Sequence, residues 1–188
     1  MSTEPSSRIS TDPDFRYSWY ARLFFANQRR RYGKELEPAR LWARTPKVFA
    51  ALSLLYGALD CRRSPIEPAL RSLITVRVSQ INWCAFCVDI NSATGLKRGI
   101  SDAQLAALPE FATSPLFDER QKAALAYAEA ITRTDVGVDD ALMARVKACF
   151  DDNAVIELTA LIAFQNMSSK FNAALDVAPQ GFCRLPQK

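Results

Sequence analysis

A helix-start signal, in which a capping residue is followed directly by proline, recurs along this chain and most strongly constrains its fold. It occurs at Asp12-Pro13, at Thr45-Pro46 and at Ser64-Pro65. The side chain of a capping residue accepts a hydrogen bond from the free N–H groups at a helix start, and proline fits the first helical position. Apolar residues follow each signal at a spacing of three or four, which indicates helices with one buried face.

Further start and stop signals divide the rest of the chain. Ser64-Pro65-Ile66-Glu67 and Ser101-Asp102-Ala103-Gln104 have the spacing of capping boxes, in which the first and fourth residues bond each other's backbone. Asn82 and Asp118 are candidate caps for two more helices, and Gly99 suits the position just after a helix end. We expect helices at about 13–33, 46–59, 65–81, 82–98, 101–108, 119–131, 139–150 and 152–175.

Strand patterns are scarce in this sequence. Residues 72–81 are enriched in β-branched side chains, which favour strands, but Leu70, Leu73 and Ile74 follow a helical spacing there. No segment repeats the alternation of strands and tight turns. The sequence therefore predicts an all-α fold, a single-domain helical bundle of seven to eight helices over residues 13–188, after a polar tail at residues 1–12.

Charge and hydropathy exclude several classes of partner. The net charge is +4, but the densest basic run, residues 29–31, is followed closely by Glu35 and Glu37, which is typical of a solvated helix face. No apolar run reaches the roughly 18 residues that a membrane span needs. The first dozen residues lack the apolar core of a signal peptide. We expect a cytoplasmic protein with no nucleic-acid or membrane partner.

Five cysteines and the absence of histidine define the available chemistry. Without histidine, the chain has no His-based general acid or base, no Ser-His or Cys-His nucleophile pair and no Cys/His zinc site. Cys84 and Cys87 form a C-x-x-C motif, whereas Cys61, Cys149 and Cys183 are isolated in the sequence. A closed zinc site needs four ligands and a second such motif is missing, so we expect neither a metal nor another cofactor.

The C-x-x-C motif lies at a predicted helix start. With Asn82 as the cap, Cys84 and Cys87 fall in the first two turns, where free N–H groups and the helix dipole favour a thiolate. A peroxide would oxidise one sulfur to a sulfenic acid, and the second thiol would condense with it to a disulfide. Proximity to the helix start favours Cys84 as the more acidic thiol, but which cysteine attacks first stays open. The alternative interpretation is a pair of half-buried core thiols.

Residues 67–108 resemble the core motif of the carboxymuconolactone decarboxylase-like superfamily, in particular its alkyl hydroperoxidase D-like branch. The resemblance is carried by Leu73-Ile74-Thr75-Val76-Arg77-Val78-Ser79, Asn82, Cys84-Ala85-Phe86-Cys87, Asp89, Ala93, Gly99-Ile100-Ser101 and Gln104. Fainter similarity reaches upstream to Pro46 and downstream through residues 125–129 and Asn166. It implies an all-helical fold, a homo-oligomer that is commonly trimer-based, and a peroxide-reducing or disulfide-exchanging role for Cys84 and Cys87.

This sequence departs from the branch at two positions. The branch carries a glutamate twelve residues before the first cysteine and a histidine four residues after the second, and together they move protons to and from the thiols. Here Ser72 and Asn91 stand at these positions. Neither can act as a base near neutral pH. Because such proton transfer contributes about 10²–10⁴ in rate, we expect a peroxidase without it to work slowly.

Two aromatic residues flank the thiols. Core packing is the simpler interpretation of Trp83 and Phe86, and the alternative is an apolar wall for a small organic peroxide. The sequence thus favours a thiol-dependent oxidoreductase that reduces a small hydroperoxide or exchanges with the disulfide of a partner protein. The alternative is a redox-sensing or oligomeric binding module that keeps the fold but has weak or no activity.

Overall fold

Nine α-helices build the part of the chain that the computed structural model describes, residues 7–9 and 14–183. They are α1 (Trp19–Tyr32), α2 (Glu37–Trp42), α3 (Pro46–Leu59), α4 (Pro68–Ile81), α5 (Ala85–Lys97), α6 (Asp102–Ala107), α7 (Glu119–Thr132), α8 (Asp140–Lys147) and α9 (Asp152–Ala174). These residues contain no strand, so the predicted all-α class is confirmed. Within them, no helix is both long and apolar enough to cross a membrane.

Helix α4 occupies the centre of the bundle and packs against α5, α7 and α9. Its side chains are buried on nearly every face, including Leu73, Ile74, Val76 and Val78. Burial on all sides explains the β-branched residues that make this segment strand-like in the sequence. Tertiary packing of a buried helix outweighs its modest intrinsic propensity.

Most of the predicted helix starts agree with the structure. Ser101 and Asp118 each form a complete capping box, with Gln104 and Gln121 as the reciprocal partners. The expected box at residues 64–67 is wrong, because the Ser64 hydroxyl bonds the backbone of the nearby turn and α4 begins three residues later than that box implies. The Asp12-Pro13 signal lies outside the described residues, and α1 begins after a Ser18 cap.

Helix α2 was not expected from the sequence, and it makes the observed number of helices in the described residues exceed the predicted seven to eight. It has only six residues, too few to display a helical period. Its end places Trp42 on Phe171 of α9, with ring centroids 3.7 Å apart and nearly parallel planes. The short helix therefore closes one side of the bundle near the C-x-x-C motif.

Helices α4 and α5 approach closely at Gly95. A Cβ atom at this position would lie 2.9 Å from the Cδ1 atom of Ile100 and 3.4 Å from the Cβ atom of Ser72. Ile100 is itself buried, so its side chain has little room to yield. The absence of a side chain at Gly95 thus allows α5, which carries the cysteines at its start, to lie against α4.

We expect Gly95→Ala to destabilise the protein by about 1–3 kcal/mol relative to Gly57→Ala, because the added methyl overpacks the contact between α4 and α5. Gly57 is also helical, but a Cβ atom there would meet nothing within 4 Å, so that variant controls for helix propensity. The free energies of unfolding in urea measure the difference. Equal stabilities for the two variants would contradict this packing account.

Candidate functional site

The cysteines lie where the chain turns sharply from α4 into α5. Asn82 is the C-cap of α4, Trp83 adopts a left-handed conformation with φ of 55°, and Cys84 is the N-cap of α5. The predicted role of Asn82 as the cap of α5 is therefore wrong. Its side-chain amide instead donates to Asn166 Oδ1 and Ser169 Oγ on α9, both at 2.9 Å.

Cys84 and Cys87 are joined as a disulfide, with their Cα atoms 5.2 Å apart. Cys84 caps α5 through its sulfur, which accepts a hydrogen bond from the Cys87 N–H at 3.1 Å. The N-cap position places the Cys84 sulfur at the positive end of the helix dipole. The sulfurs of the C-x-x-C motif can therefore pair without any rearrangement of the helix backbone.

The two cysteines differ in their contact with a cavity. Both belong to one apolar cluster with Leu41 and Val177, and Cys84 is 1% exposed. Cys87, 3% exposed, lines a cavity of about 350 Å³ between α4, α5, α9 and the first three helices. A small molecule in this cavity would meet the sulfur of Cys87 rather than that of Cys84.

The cavity has an apolar wall and a polar floor. The wall is built mainly by aromatic and aliphatic side chains, which include Trp42, Phe49, Leu52, Phe86, Ile90 and Phe164. Neutral polar side chains from three helices form the floor, namely Ser72, Thr75, Asn91, Gln165 and Asn172. A mostly apolar concavity with a few converging polar groups is typical of a small-molecule site.

Three charged residues close one end of the cavity. Both terminal oxygens of Asp60 accept hydrogen bonds from Arg98, at 2.7 and 2.8 Å, and Arg71 Nε lies 3.3 Å from Asp60 Oδ1. Arg98 also donates to the hydroxyl of Ser72 at 3.3 Å. Ser72 is thus held as a hydrogen-bond acceptor in the place where the branch has a glutamate.

Tyr56 borders the same end of the cavity, and its hydroxyl donates to Asp60 Oδ2 at 3.4 Å. Although about half of the residue is exposed, desolvation of the phenol and then the charge of Asp60 raise the pKa of Tyr56 to about 12. The phenol therefore stays protonated at neutral pH. It can donate a hydrogen bond to a ligand, but it cannot serve as a base.

A neutral network occupies the position of the branch's histidine. Asn91 Nδ2 and Gln165 Nε2 both donate to the hydroxyl of Ser79, at 3.3 and 3.0 Å. The Ser79 hydroxyl in turn donates to the Thr75 carbonyl at 2.5 Å. Asn91 thus orients other polar groups near Cys87, and none of these side chains can take up a proton near neutral pH.

The structure brings together most of the residues that the sequence singles out. Ser72, Phe86, Cys87 and Asn91 line one cavity, and Cys84 is bonded to Cys87. The core position expected for Trp83 is wrong, because this residue is 89% exposed and does not line the cavity. Its left-handed backbone turns the side chain outward between the two helices.

Sequence reasoning missed one residue that touches a sulfur directly. Asn172 on α9 donates its Nδ2–H to Cys87 Sγ at 3.2 Å. It is separated from Cys87 by 85 residues, and an asparagine on a long helix carries no local signal of such a contact. The charged group of Asp60, Arg71 and Arg98 was missed for the same reason. No three His, Cys, Asp or Glu side chains of the described residues lie together as a metal site.

The C-terminal segment, residues 177–183, packs against the cluster that contains the disulfide. Asp89, which is buried, accepts hydrogen bonds from the backbone N–H groups of Gln180 and Cys183, at 2.8 and 2.6 Å. These bonds hold Val177 and Phe182 against the apolar cluster around Cys84. The carboxylate of Asp89 is thus engaged by this segment.

We expect Asp89→Asn to accelerate reduction of the disulfide by dithiothreitol about tenfold. The amide keeps the size of the carboxylate but loses the charge and one acceptor oxygen, which weakens the bonds that hold the C-terminal segment. Release of thiols over time measures the rate.

Asp176→Asn is the matched control, since Asp176 is exposed and asparagine tolerates its left-handed backbone. If both variants were reduced at the rate of the original protein, the C-terminal segment would not control access to Cys84.

Comparison with known proteins identifies one family and several solved structures of the same fold. A family model described as the carboxymuconolactone decarboxylase family matches residues 46–130. The uncharacterized protein YnjA of Escherichia coli (strain K12) is 46% identical over 160 residues, which cover 85% of this chain and 88% of that protein.

Two solved structures share the fold at low sequence identity. An uncharacterized peroxidase-related protein from Ralstonia eutropha JMP134 has a TM-score of 0.85 at 19% identity, with 98% of this chain and 100% of that chain covered. The debrominase Bmp8 has a TM-score of 0.77 at 21% identity, with 92% and 95% covered. Proteins described by different activities thus share this architecture, and the site rather than the fold must indicate the reaction.

Proposed function

The chain belongs to the carboxymuconolactone decarboxylase family, and from its site we propose that it is a thiol-dependent oxidoreductase that reduces small organic hydroperoxides. One observation carries this proposal: Cys87, one half of a C-x-x-C disulfide, lines a cavity with an apolar wall. The reduced dithiol can give up two electrons by closing this disulfide, and it lies beside a space that fits a small molecule.

In the proposed cycle, Cys87 attacks first. Its thiolate attacks the terminal oxygen of a hydroperoxide ROOH, an S–O bond forms as the O–O bond breaks, and the alkoxide that leaves takes up a proton to form the alcohol ROH. Cys87 is then a sulfenic acid. The Cys84 thiol attacks this sulfur, which forms the disulfide and releases water. Cys84 suits this second role because it does not line the cavity that the hydroperoxide would enter.

Proton transfer in this cycle depends on water rather than on a side-chain base. Ser72 and Asn91 are neutral hydrogen-bonding groups, Tyr56 stays protonated, and Asp60 is paired with two arginines. We therefore propose that the Cys87 thiol loses its proton to water in the cavity and that water protonates the alkoxide. The cycle would be slower than one assisted by a positioned acid and base, which contribute about 10²–10⁴ in rate.

Two further thiols must reduce the disulfide to complete a turnover. A dithiol reductant would transfer two electrons and two protons, which regenerates Cys84 and Cys87 and leaves the reductant as a disulfide. Both cysteines are buried and the C-terminal segment packs against their cluster, so a small dithiol has easier access than the surface of a partner protein. The other three cysteines, Cys61, Cys149 and Cys183, are free thiols. Free thiols support a reducing compartment such as the cytoplasm.

The neutral residues around the thiols also support a second candidate, a redox-sensing module without catalytic turnover. Such a module would need the disulfide to form and to change the surface of the protein. It would not need Ser72 or Asn91 to move protons. Sustained consumption of hydroperoxide with a dithiol reductant supports the enzyme, and a single round of disulfide formation without turnover supports the sensor.

We further propose that α3 forms the contact between copies of a homo-oligomer, which we expect to be trimer-based. This helix is almost uncharged and yet exposes large apolar side chains, among them Leu54 at 76%, Val48 and Leu55. Contiguous apolar surface of this kind is typical of protein–protein contacts. Because Tyr56 on the same helix borders the cavity, such a contact would also shield the mouth of the site.

The proposed chemistry predicts a defined loss of thiols. Fully reduced protein has five thiols, and one equivalent of cumene hydroperoxide should consume two of them as cumyl alcohol forms. In Cys84→Ser, we expect a sulfenic acid at Cys87 that dimedone traps, because no second thiol can condense with it. In Cys87→Ser, we expect no reaction at the site.

Cys149→Ser is the matched control, since Cys149 is a free cysteine far from the cavity, and it should react like the original protein. No loss of thiols from the original protein at millimolar hydroperoxide would refute the proposal. Unchanged reactivity of Cys87→Ser would refute the role of Cys87.

The oligomer proposal is tested with Leu54→Asp. We expect the original protein to be oligomeric and this variant to be monomeric in size-exclusion chromatography with light scattering, because a carboxylate in an apolar contact stays desolvated and unpaired. Ile156→Asp is the control, since Ile156 is similarly exposed but lies on α9. If both variants kept the original mass, α3 would not be the interface.

A further inference from the structure

Asn172 stands out because it is the buried polar side chain that contacts the sulfur facing the cavity. It is 2% exposed, it borders the cavity, and its Nδ2–H donates to Cys87 Sγ at 3.2 Å. Its Oδ1 is buried and has no hydrogen-bond partner among the described residues. Buried amides are almost always satisfied on both sides, so an unused acceptor beside a sulfur calls for a physical explanation.

The reduced state of the site supplies that explanation. A disulfide sulfur is a weak acceptor, so the present bond from Asn172 stabilises this state little. A thiolate carries a full negative charge, and the same N–H would form a charge-assisted and much stronger hydrogen bond with it. A protonated thiol, in contrast, needs an acceptor, and rotation of the amide would offer it Oδ1. One buried amide can therefore partner the Cys87 sulfur in each state of the cycle.

We propose that Asn172 acts in the reaction by stabilising the thiolate of Cys87 and by holding its sulfur toward the cavity. This hydrogen bond compensates in part for the missing base, because a thiol whose thiolate is stabilised loses its proton more readily. Its role in turnover rests on the proposed function, whereas stabilisation of the thiolate does not require turnover. Asn172 would thus promote formation of the thiolate by a hydrogen bond, whereas a proton-accepting side chain promotes it in the related branch of the family.

Other charged and titratable groups around Cys87 come from α1, α3, α4, α5 and the residues that cap α3 and α5. They are Arg31, Tyr32, Tyr56, Asp60, Arg71, Cys84, Asp89 and Arg98. Asp60 is paired with Arg71 and Arg98, and Asp89 with the backbone of the C-terminal segment. Among the described residues, the hydrogen bond that reaches Cys87 Sγ comes from Asn172.

The test measures how readily Cys87 ionises. In a Cys84→Ser background, the rate of Cys87 alkylation by iodoacetamide is followed against pH by peptide mass spectrometry, which separates Cys87 from the three other cysteines. We expect Asn172→Ala to raise the midpoint of this profile by about one pH unit, as expected for loss of a hydrogen bond to a charged group. Asn172→Asp, which keeps the size but replaces the donor with a carboxylate, should raise it further.

Asn153→Ala is the control, because Asn153 is an exposed asparagine at the start of the same helix and does not line the cavity. Its midpoint should equal that of the background protein. An unchanged midpoint in folded Asn172→Ala or Asn172→Asp would overturn the proposal. A shifted midpoint in a protein that does not reduce hydroperoxides would leave this role intact and refute the proposed function alone.

Discussion

The tight turn between α4 and α5 is the constraint on which the site depends. The Cys84 N–H still bonds the Ser79 carbonyl at the end of α4, while its own side chain already caps α5. The turn requires a left-handed Trp83, a conformation that costs a bulky residue about 1–2 kcal/mol. Hydrogen bonds from Asn82 to α9 offset this cost and fix the turn against the bundle. Cys84 and Cys87 consequently meet on one helical turn.

Helix α9 supplies the other side chains that hold the site together. It anchors Asn82, supplies Gln165 to the network around Ser79, and places Asn172 on the sulfur of Cys87. Together with α4 and α5, it encloses a cavity whose polar groups near the sulfur are mostly neutral. Because Cys87 lines this cavity and Cys84 does not, the proposed work divides between the two thiols. This geometry suits a small apolar hydroperoxide better than direct exchange with a protein surface.

The helical class, most helix bounds and the cysteine pair could be predicted from the sequence because each leaves a local pattern. Capping boxes such as that at Ser101 and the spacing of Cys84 and Cys87 depend on residues within one turn. The short α2 was missed because six residues are too few to show a helical period. The prediction for Asn82 was wrong because its side-chain amide bonds a residue on α9 instead of capping α5. Asn172 and Asp60 contact residues that are distant in the sequence, and only folding brings them to the site. Local sequence spacing therefore does not predict these contacts.

The central claim is that Cys87, and not Cys84, meets the substrate. Its most direct test is site-resolved alkylation of the fully reduced protein with a limiting amount of a small apolar maleimide, quantified for each cysteine peptide over time. We expect Cys87 to be labelled faster than Cys84, since Cys87 lines the cavity and Cys84 does not. Labelling of Cys84 before Cys87, or of both at equal rates, would contradict this account of the site.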